Sequence, residues 1–433
     1  MDAVTTADAR RVALADQLRS SLHVARLLLG EVLTDAYARM DPAGYRELAG
    51  KAGGELAMLL RMAARALPGA DDQREIRALA AQLAPLARLP AVARSVLLRP
   101  SRASMHVLAH LCLTELGAPD EVLDRAARRA LQASTAAANE RVPYRQLDAA
   151  WTRHIAFGDH ELRHPALLLS PIGAGVDLLA ATTADAYAYT HALPYATDFG
   201  RVPLPSEVDR RRLIGTAEAI VLQALDDDDL DLLAEVLMAP PTLRRPWTPL
   251  LAFGWQVLDA AWQHFGFVPG PGLPPPRAGE TRAEEVRRVL GTTYHTTFAA
   301  GLACATLLAC DALPPPLARG GPPDADEPPG RGRWWRAQWR LLSPSARASM
   351  PLLRAGFALR RALDAGNLAA VHALLIDAAA AGLAEHPLMV QALEMLERAA
   401  DLAAPADHPG GRASQKATAA ARPSAAIASM TSR

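Results

Sequence analysis

The densest set of reactive side chains lies between Trp151 and Arg201: His154, His160, Glu161, His164, Asp185, Tyr187, Tyr189, His191, Tyr195 and Asp198. Within it, Asp185-Ala186-Tyr187-Ala188-Tyr189-Thr190-His191 alternates small alanines with polar groups. On a helix, residues four apart share a face, so Asp185 stands above Tyr189 and Tyr187 above His191. Histidine titrates near neutrality and a neighbouring hydroxyl or carboxylate orients it, so these pairs have the composition of a general acid–base site. Asp185, Tyr189 and His191 are therefore candidate catalytic residues, with Tyr187, Tyr195 and Asp198 as candidate substrate contacts. The competing reading is a buried polar ladder that fixes helix packing.

His160-Glu161-Leu162-Arg163-His164 matches H-E-x-x-H, whose histidines bind zinc and whose glutamate activates water when the segment is helical. Gly158 before it and Pro165 after it oppose a helix, because the residue preceding a proline is pushed out of the α region. The expectation is a polar loop, with a zinc hydrolase through His160 and His164 as the outside alternative. No resident cofactor is expected, and zinc or magnesium are the metals the side chains could take.

Asp226-Asp227-Asp228-Asp229-Leu230-Asp231 contains the D-x-D-D pattern of some terpene cyclases. Placed before an apolar run, it reads first as a helix N-cap with extra negative charge in the opening turn. Trp334, Trp335 and Trp339, set among arginines, read as anchors of a helix that re-enters the core.

Leu147-Asp148-Ala149-Ala150-Trp151 recurs as Leu258-Asp259-Ala260-Ala261-Trp262, an offset of 258 − 147 = 111, and Thr182-Thr183 recurs as Thr292-Thr293, an offset of 292 − 182 = 110. A duplicated unit of this length holds two α-hairpins. In that register His295 is the counterpart of Asp185. His295 joins the catalytic candidates, Tyr294 joins the substrate contacts, and Asp185 and His295 are expected to face one concavity.

These groups need elements to hold them. The chain has 433 residues, enough for a sizeable core. Ala, Leu and Arg dominate, apolar residues recur at spacings of three and four, and no period-two strand is evident, so the fold class is all-α. Stacked antiparallel α-hairpins, arranged as an α/α-toroid or a helical solenoid, are expected. Prolines and glycines divide it into an N-terminal helical region (1–142), a central helical region with the candidate site (143–312), a Pro/Gly-rich linker (313–333), a C-terminal helical segment (334–403) and a disordered tail (404–433). The stretches 268–279 and 313–333 read as exposed connections.

Lys+Arg and Asp+Glu both number 46, so a basic footprint for nucleic acid is absent. Three cysteines without a CxxC pair suit a reducing compartment, no stretch suits a membrane span, and a cytoplasmic location is expected.

The segment 160–200, with Tyr189-Thr190-His191 and Tyr195-Ala196-Thr197-Asp198-Phe199-Gly200, resembles uncharacterised all-helical proteins of actinobacteria, some in natural-product gene clusters. The resemblance implies no established activity or cofactor. Two functions follow from the residues: a tailoring enzyme of secondary metabolism doing non-redox acid–base chemistry on a small molecule or peptide, or a non-catalytic helical-repeat interaction protein. The first predicts a cavity with convergent His, Asp and Tyr, and the second an open groove with those groups pointing apart.

Overall fold

The computed structural model describes residues 3–34, 38–39, 42–133, 135–136, 140–158, 165–272, 274–320 and 326–403. The helices are α1 (Ala3–Leu27), α2 (Pro42–Ala66), α3 (Ala70–Ala87), α4 (Pro90–Leu98), α5 (Ala103–Glu115), α6 (Glu121–Gln132), α7 (Pro143–Phe157), α8 (Ala166–Leu169), α9 (Pro171–Ala174) and α10 (Thr183–Thr197). They continue as α11 (Arg210–Asp226), α12 (Leu230–Val236), α13 (Ala239–Leu243), α14 (Pro249–Phe265), α15 (Arg282–Ala309), α16 (Trp334–Leu341), α17 (Pro344–Ala348), α18 (Pro351–Asp364), α19 (Leu368–Ala380) and α20 (Pro387–Ala403). Among the described residues the only strand-like pairing is an isolated bridge between Arg319 and Leu342, so the chain is all-α as its periodicity predicts.

The breakers act as their chemistry requires. Pro143 and Pro249 occupy the first turns of α7 and α14, where a missing N–H costs nothing. Thr182 and Thr281 open α10 and α15 with capping boxes, each threonine hydroxyl accepting from the N3 amide while the N3 carboxylate accepts from the threonine amide.

The two proline-rich stretches are exposed connections only in part: the described residues from Pro271 to Gly279 are exposed, but each stretch also has points buried against a helix. Val268 is fully buried, its carbonyl accepts from Thr297 Oγ1 at 3.0 Å, and a Cβ on Gly270 would stand 2.2 Å from the Thr292 carbonyl oxygen. In the second stretch, a Cβ on Gly332 would lie 1.9 Å from the Leu225 carbonyl oxygen. The backbone amides of Arg331 and Arg333 donate to Asp226 and Asp228 at 2.6 and 2.7 Å. Missing side chains let these segments lie against helix backbone, which a count of apolar residues does not register.

The proposed duplication is not reflected in equivalent places. Thr292 and Thr293 lie inside α15 rather than at a helix start. α7 packs on α10 and α5, whereas α14 packs chiefly on α11, α12 and α16. His154 is buried beside Asp198, while His264 stacks against Phe265 and Trp334.

Helix contacts instead form a circuit. α15 packs on α2, α2 on α5, α5 on α7, α7 on α10, α10 on α12, and α12 returns to α15. The long core helix α15, Ala- and Thr-rich on its buried faces, also receives α1. Small residues permit this approach: a Cβ on Gly301 would sit 2.5 Å from Ser21 Oγ of α1.

Candidate functional site

Helices α2, α7, α10, α12 and α15 of that circuit line a cavity of about 980 Å³. Helical geometry selects the residues that face it. Along α10, Tyr187, His191 and Tyr195 recur every four residues and all line the cavity, together with Thr190 and Pro194. α15 contributes Tyr294 and His295, and α2 contributes Lys51 and Glu55. Tyr144 comes from the first turn of α7, and the short α12 supplies Asp231 and Glu235, again four apart.

The polar groups form two linked networks. His295 places Nδ1 3.0 Å from Glu55 Oε2 and Nε2 3.4 Å from Asp231 Oδ2. Asp231 Oδ2 also accepts from the Tyr187 hydroxyl at 2.6 Å. Burial opposes charge on His295, but the bonds to Asp231 and Glu55 outweigh it and raise its pKa to about 10. For Asp231, burial pushes the other way, and His295 and Tyr187 still hold it below the usual carboxylate range. At neutral pH this is an imidazolium clamped between two carboxylates.

In the second network His191 Nε2 lies 3.3 Å from Glu235 Oε1, and Glu235 Oε2 accepts from Thr190 Oγ1 at 2.5 Å. Burial lowers the His191 pKa, but the Glu235 carboxylate more than compensates and the net shift is upward. The ring packs among Tyr144, Tyr187 and Tyr195, with centroids 5.7, 5.9 and 6.2 Å away. Asp148 of α7 adds a further carboxyl group whose pKa burial pushes up to about 6 against the opposing charge of His191. One of its oxygens is buried without a hydrogen-bond partner.

Of the residues singled out in sequence, Tyr187, His191, Tyr195, Tyr294 and His295 share this cavity. Asp185 does not line it: its exposed carboxylate accepts from the Thr182 amide and hydroxyl at 2.9 and 2.7 Å, as the N3 half of the capping box. Asp231, not Asp185, is the aspartate that meets His295. Tyr189 faces the opposite side of α10, fully buried, with its hydroxyl donating to the Leu213 carbonyl at 2.6 Å. Asp198 is a buried hub rather than a ligand contact. It accepts from Trp151 Nε1 at 2.8 Å and Arg61 at 2.9 Å, and pairs with Arg65, Arg201 and His154. His160, Glu161 and His164 lie outside the described residues.

Glu55, Lys51, Tyr144, Asp148, Asp231 and Glu235 complete the site without having been singled out for it. Asp231 and Glu235 carried a readable signal, two carboxylates four apart just after the aspartate run. Capping explains Asp229, whose side chain accepts from the Asp231 and Leu232 amides, but not Asp231. Ligand atoms of Asp231, Glu235 and His295 all lie within 4.8 Å of one another, close enough to share one cation if His295 gives up its proton.

No helix among the described residues is long and apolar enough to cross a membrane. No curated protein and no solved structure matches the chain. A family model described as a domain of unknown function, DUF6895, matches residues 24–305, and every residue lining the cavity, from Leu48 to Leu302, falls within that span. The match covers well over half of the sequence, and the chain belongs to the DUF6895 family.

Proposed function

We propose that the protein is an enzyme that moves protons on a small molecule held in the cavity between α2, α7, α10, α12 and α15. The observation that carries this reading is the His191–Glu235 pair opening onto a cavity walled by Tyr144, Tyr187, Tyr195 and Tyr294. Glu235 orients the imidazole through Nε2 and leaves Nδ1 for the ligand, the carboxylate–histidine arrangement of a general base. His295 has a different task. With a pKa near 10 and both ring nitrogens facing carboxylates, it stays charged at neutral pH and fixes Asp231, Tyr187 and Glu55 as a rigid polar wall. The volume suits a drug-sized molecule or a short peptide segment.

Convergence of histidines, carboxylates and tyrosines on one cavity favours this reading over a non-catalytic interaction protein, for which they should point apart. A tailoring role in secondary metabolism, and the actinobacterial setting implied by the resemblance of segment 160–200, belong to the same proposal. So does a reducing, cytoplasmic location, supported by three free cysteines.

The test is turnover of a metabolite extract from the source cells, followed by mass spectrometry. Wild-type protein should deplete a discrete set of compounds, and His191→Gln should abolish that depletion while retaining the circular dichroism and Tm of the wild type. Depletion undiminished in His191→Gln and Glu235→Gln would rule the site out.

A second reading rests on the proximity of Asp231, Glu235 and His295, one imidazole and two carboxylates within reach of a divalent cation. Such a donor set suits zinc or manganese better than calcium, which prefers oxygen alone. Elemental analysis after dialysis against each metal decides it: one equivalent retained by wild type and lost in His295→Gln supports a metal centre.

A further inference from the structure

A second cleft of about 960 Å³ shares Phe199 in its lining with the tyrosine-walled cavity. Its lining includes Arg65, Arg201, Arg244 and Arg245 and no acidic side chain. Arg61 lies behind Arg65, and the carboxylates that answer these cations are the buried Asp198 and the half-exposed Glu115. Five guanidinium groups against two carboxylates leave three positive charges. Asp311 nearby is already matched by Arg11. The C-termini of α2, α10, α15 and the short α13 also end here, each worth up to about half a negative charge, and the balance stays positive by roughly one charge.

The cleft shows the crowding of that charge. Burial lowers the pKa of Arg65, and the neighbouring Arg61 and Arg201 lower it further against the pull of Asp198. Two of the arginines are held in place from behind. Arg201 pairs with Asp198 at 3.3 Å, and Arg244 donates from one nitrogen to the carbonyls of Gly200 and Arg201 at 3.2 and 2.8 Å. Arg245 makes no ion pair among the described residues. Arg201, Arg244 and Arg245 are all exposed to solvent at the mouth, while Phe199, Pro240 and Pro241 supply apolar walls.

We propose that this cleft is an anion site for a phosphorylated small molecule, with a diphosphate-class group held by Arg65, Arg201, Arg244 and Arg245. Guanidinium forks match phosphate oxygens two at a time, and their anchoring by Asp198 and by backbone carbonyls removes part of the ordering cost of binding. A single carboxylate would leave most of the donors unmatched. This site is separate from the proposed proton-transfer site and stands or falls independently of it.

The test is isothermal titration of the full chain with inorganic pyrophosphate, in magnesium-free buffer at physiological ionic strength. One saturable site is expected. Arg244→Gln and Arg245→Gln should each weaken it by about tenfold, the loss typical of one charge-assisted pair, and the double variant should abolish it. Arg125→Gln, which removes the same charge from an exposed position elsewhere, should leave binding unchanged. The Tm of Arg245→Gln without ligand should match the wild type, so that lost binding is not lost folding. Absence of saturable heat up to millimolar pyrophosphate overturns the proposal, as does an equal loss in Arg125→Gln. Citrate binding as tightly as pyrophosphate overturns the assignment to phosphate.

Discussion

His295 Nε2 stands 3.4 Å from Asp231 Oδ2, joining α15 to the short α12, and the same oxygen receives the Tyr187 hydroxyl from α10. One carboxylate oxygen thus ties three of the helices around the cavity.

The first prediction concerns pH. His295 has an ordinary pKa of 6.5 and a folded value of about 10, so the stability it contributes is fully present below pH 6.5 and is lost as pH rises through 10. The ring is partly open to the cavity, and solvent screening reduces the contribution to on the order of 1–2 kcal/mol. Urea denaturation of metal-free wild type and His295→Gln should show a stability gap at pH 6 that closes by pH 10.5. A gap that widens with pH contradicts the clamp.

Asp185 and Asp231 should behave in opposite ways. Asp185→Ala removes a capping carboxylate and should cost about 1 kcal/mol without changing ligand turnover. Asp231→Asn should leave the helix start intact, since Asp229 provides the cap, yet reduce turnover at least tenfold by releasing His295 and Tyr187. Turnover lost in Asp185→Ala at unchanged stability would return Asp185 to the site.

Asp198 is a stability residue. Asp198→Ala leaves the buried Arg61 and Trp151 Nε1 without this partner, and should cost about 3–5 kcal/mol in chemical denaturation. A loss below 1 kcal/mol would mean that Glu115 alone satisfies Arg61.

Gly332→Ala should destabilise the protein by about 1–3 kcal/mol, because its Cβ would meet the Leu225 carbonyl oxygen and neither backbone can yield freely. Gly272→Ala has open space but a positive φ, so it should lose less, through strain alone. Equal losses in the two would show that the strap over Leu225 is loosely seated.

Helices were legible because their signals are local: threonine caps, N1 prolines and apolar spacing act within a few residues. The same is true of the face Tyr187–His191–Tyr195, which one helix presents by its own geometry. The partners of that face were not legible. Asp185 and Asp231 are both aspartates in the first turn of a helix, and only the packing of α12 on α15 turns one inward while the other closes a cap. Glu55 reaches His295 from α2, a meeting no local pattern encodes. Tyr189 is not on that face: two residues from Tyr187 is about 200° round a helix, which turns it to the opposite side, against Leu213.

The strap at 326–334 carries a consequence for where this molecule can be cut. Residues 24–305 are the unit that recurs as a family, and they contain every side chain of the cavity. They are not the unit whose surface is closed. Leu222 is covered by Gly356, the Leu225 carbonyl by Gly332, and Phe253 by Trp339, while Asp226 is answered by Arg360 and Arg361. Heredity and self-sufficiency therefore draw different borders on this chain. A protein ending at residue 305 would keep every side chain of the cavity but bare an oily flank on α11 and α14 with an unanswered Asp226, and would need the segment after 325, added back in trans or as part of the chain, to stay in solution.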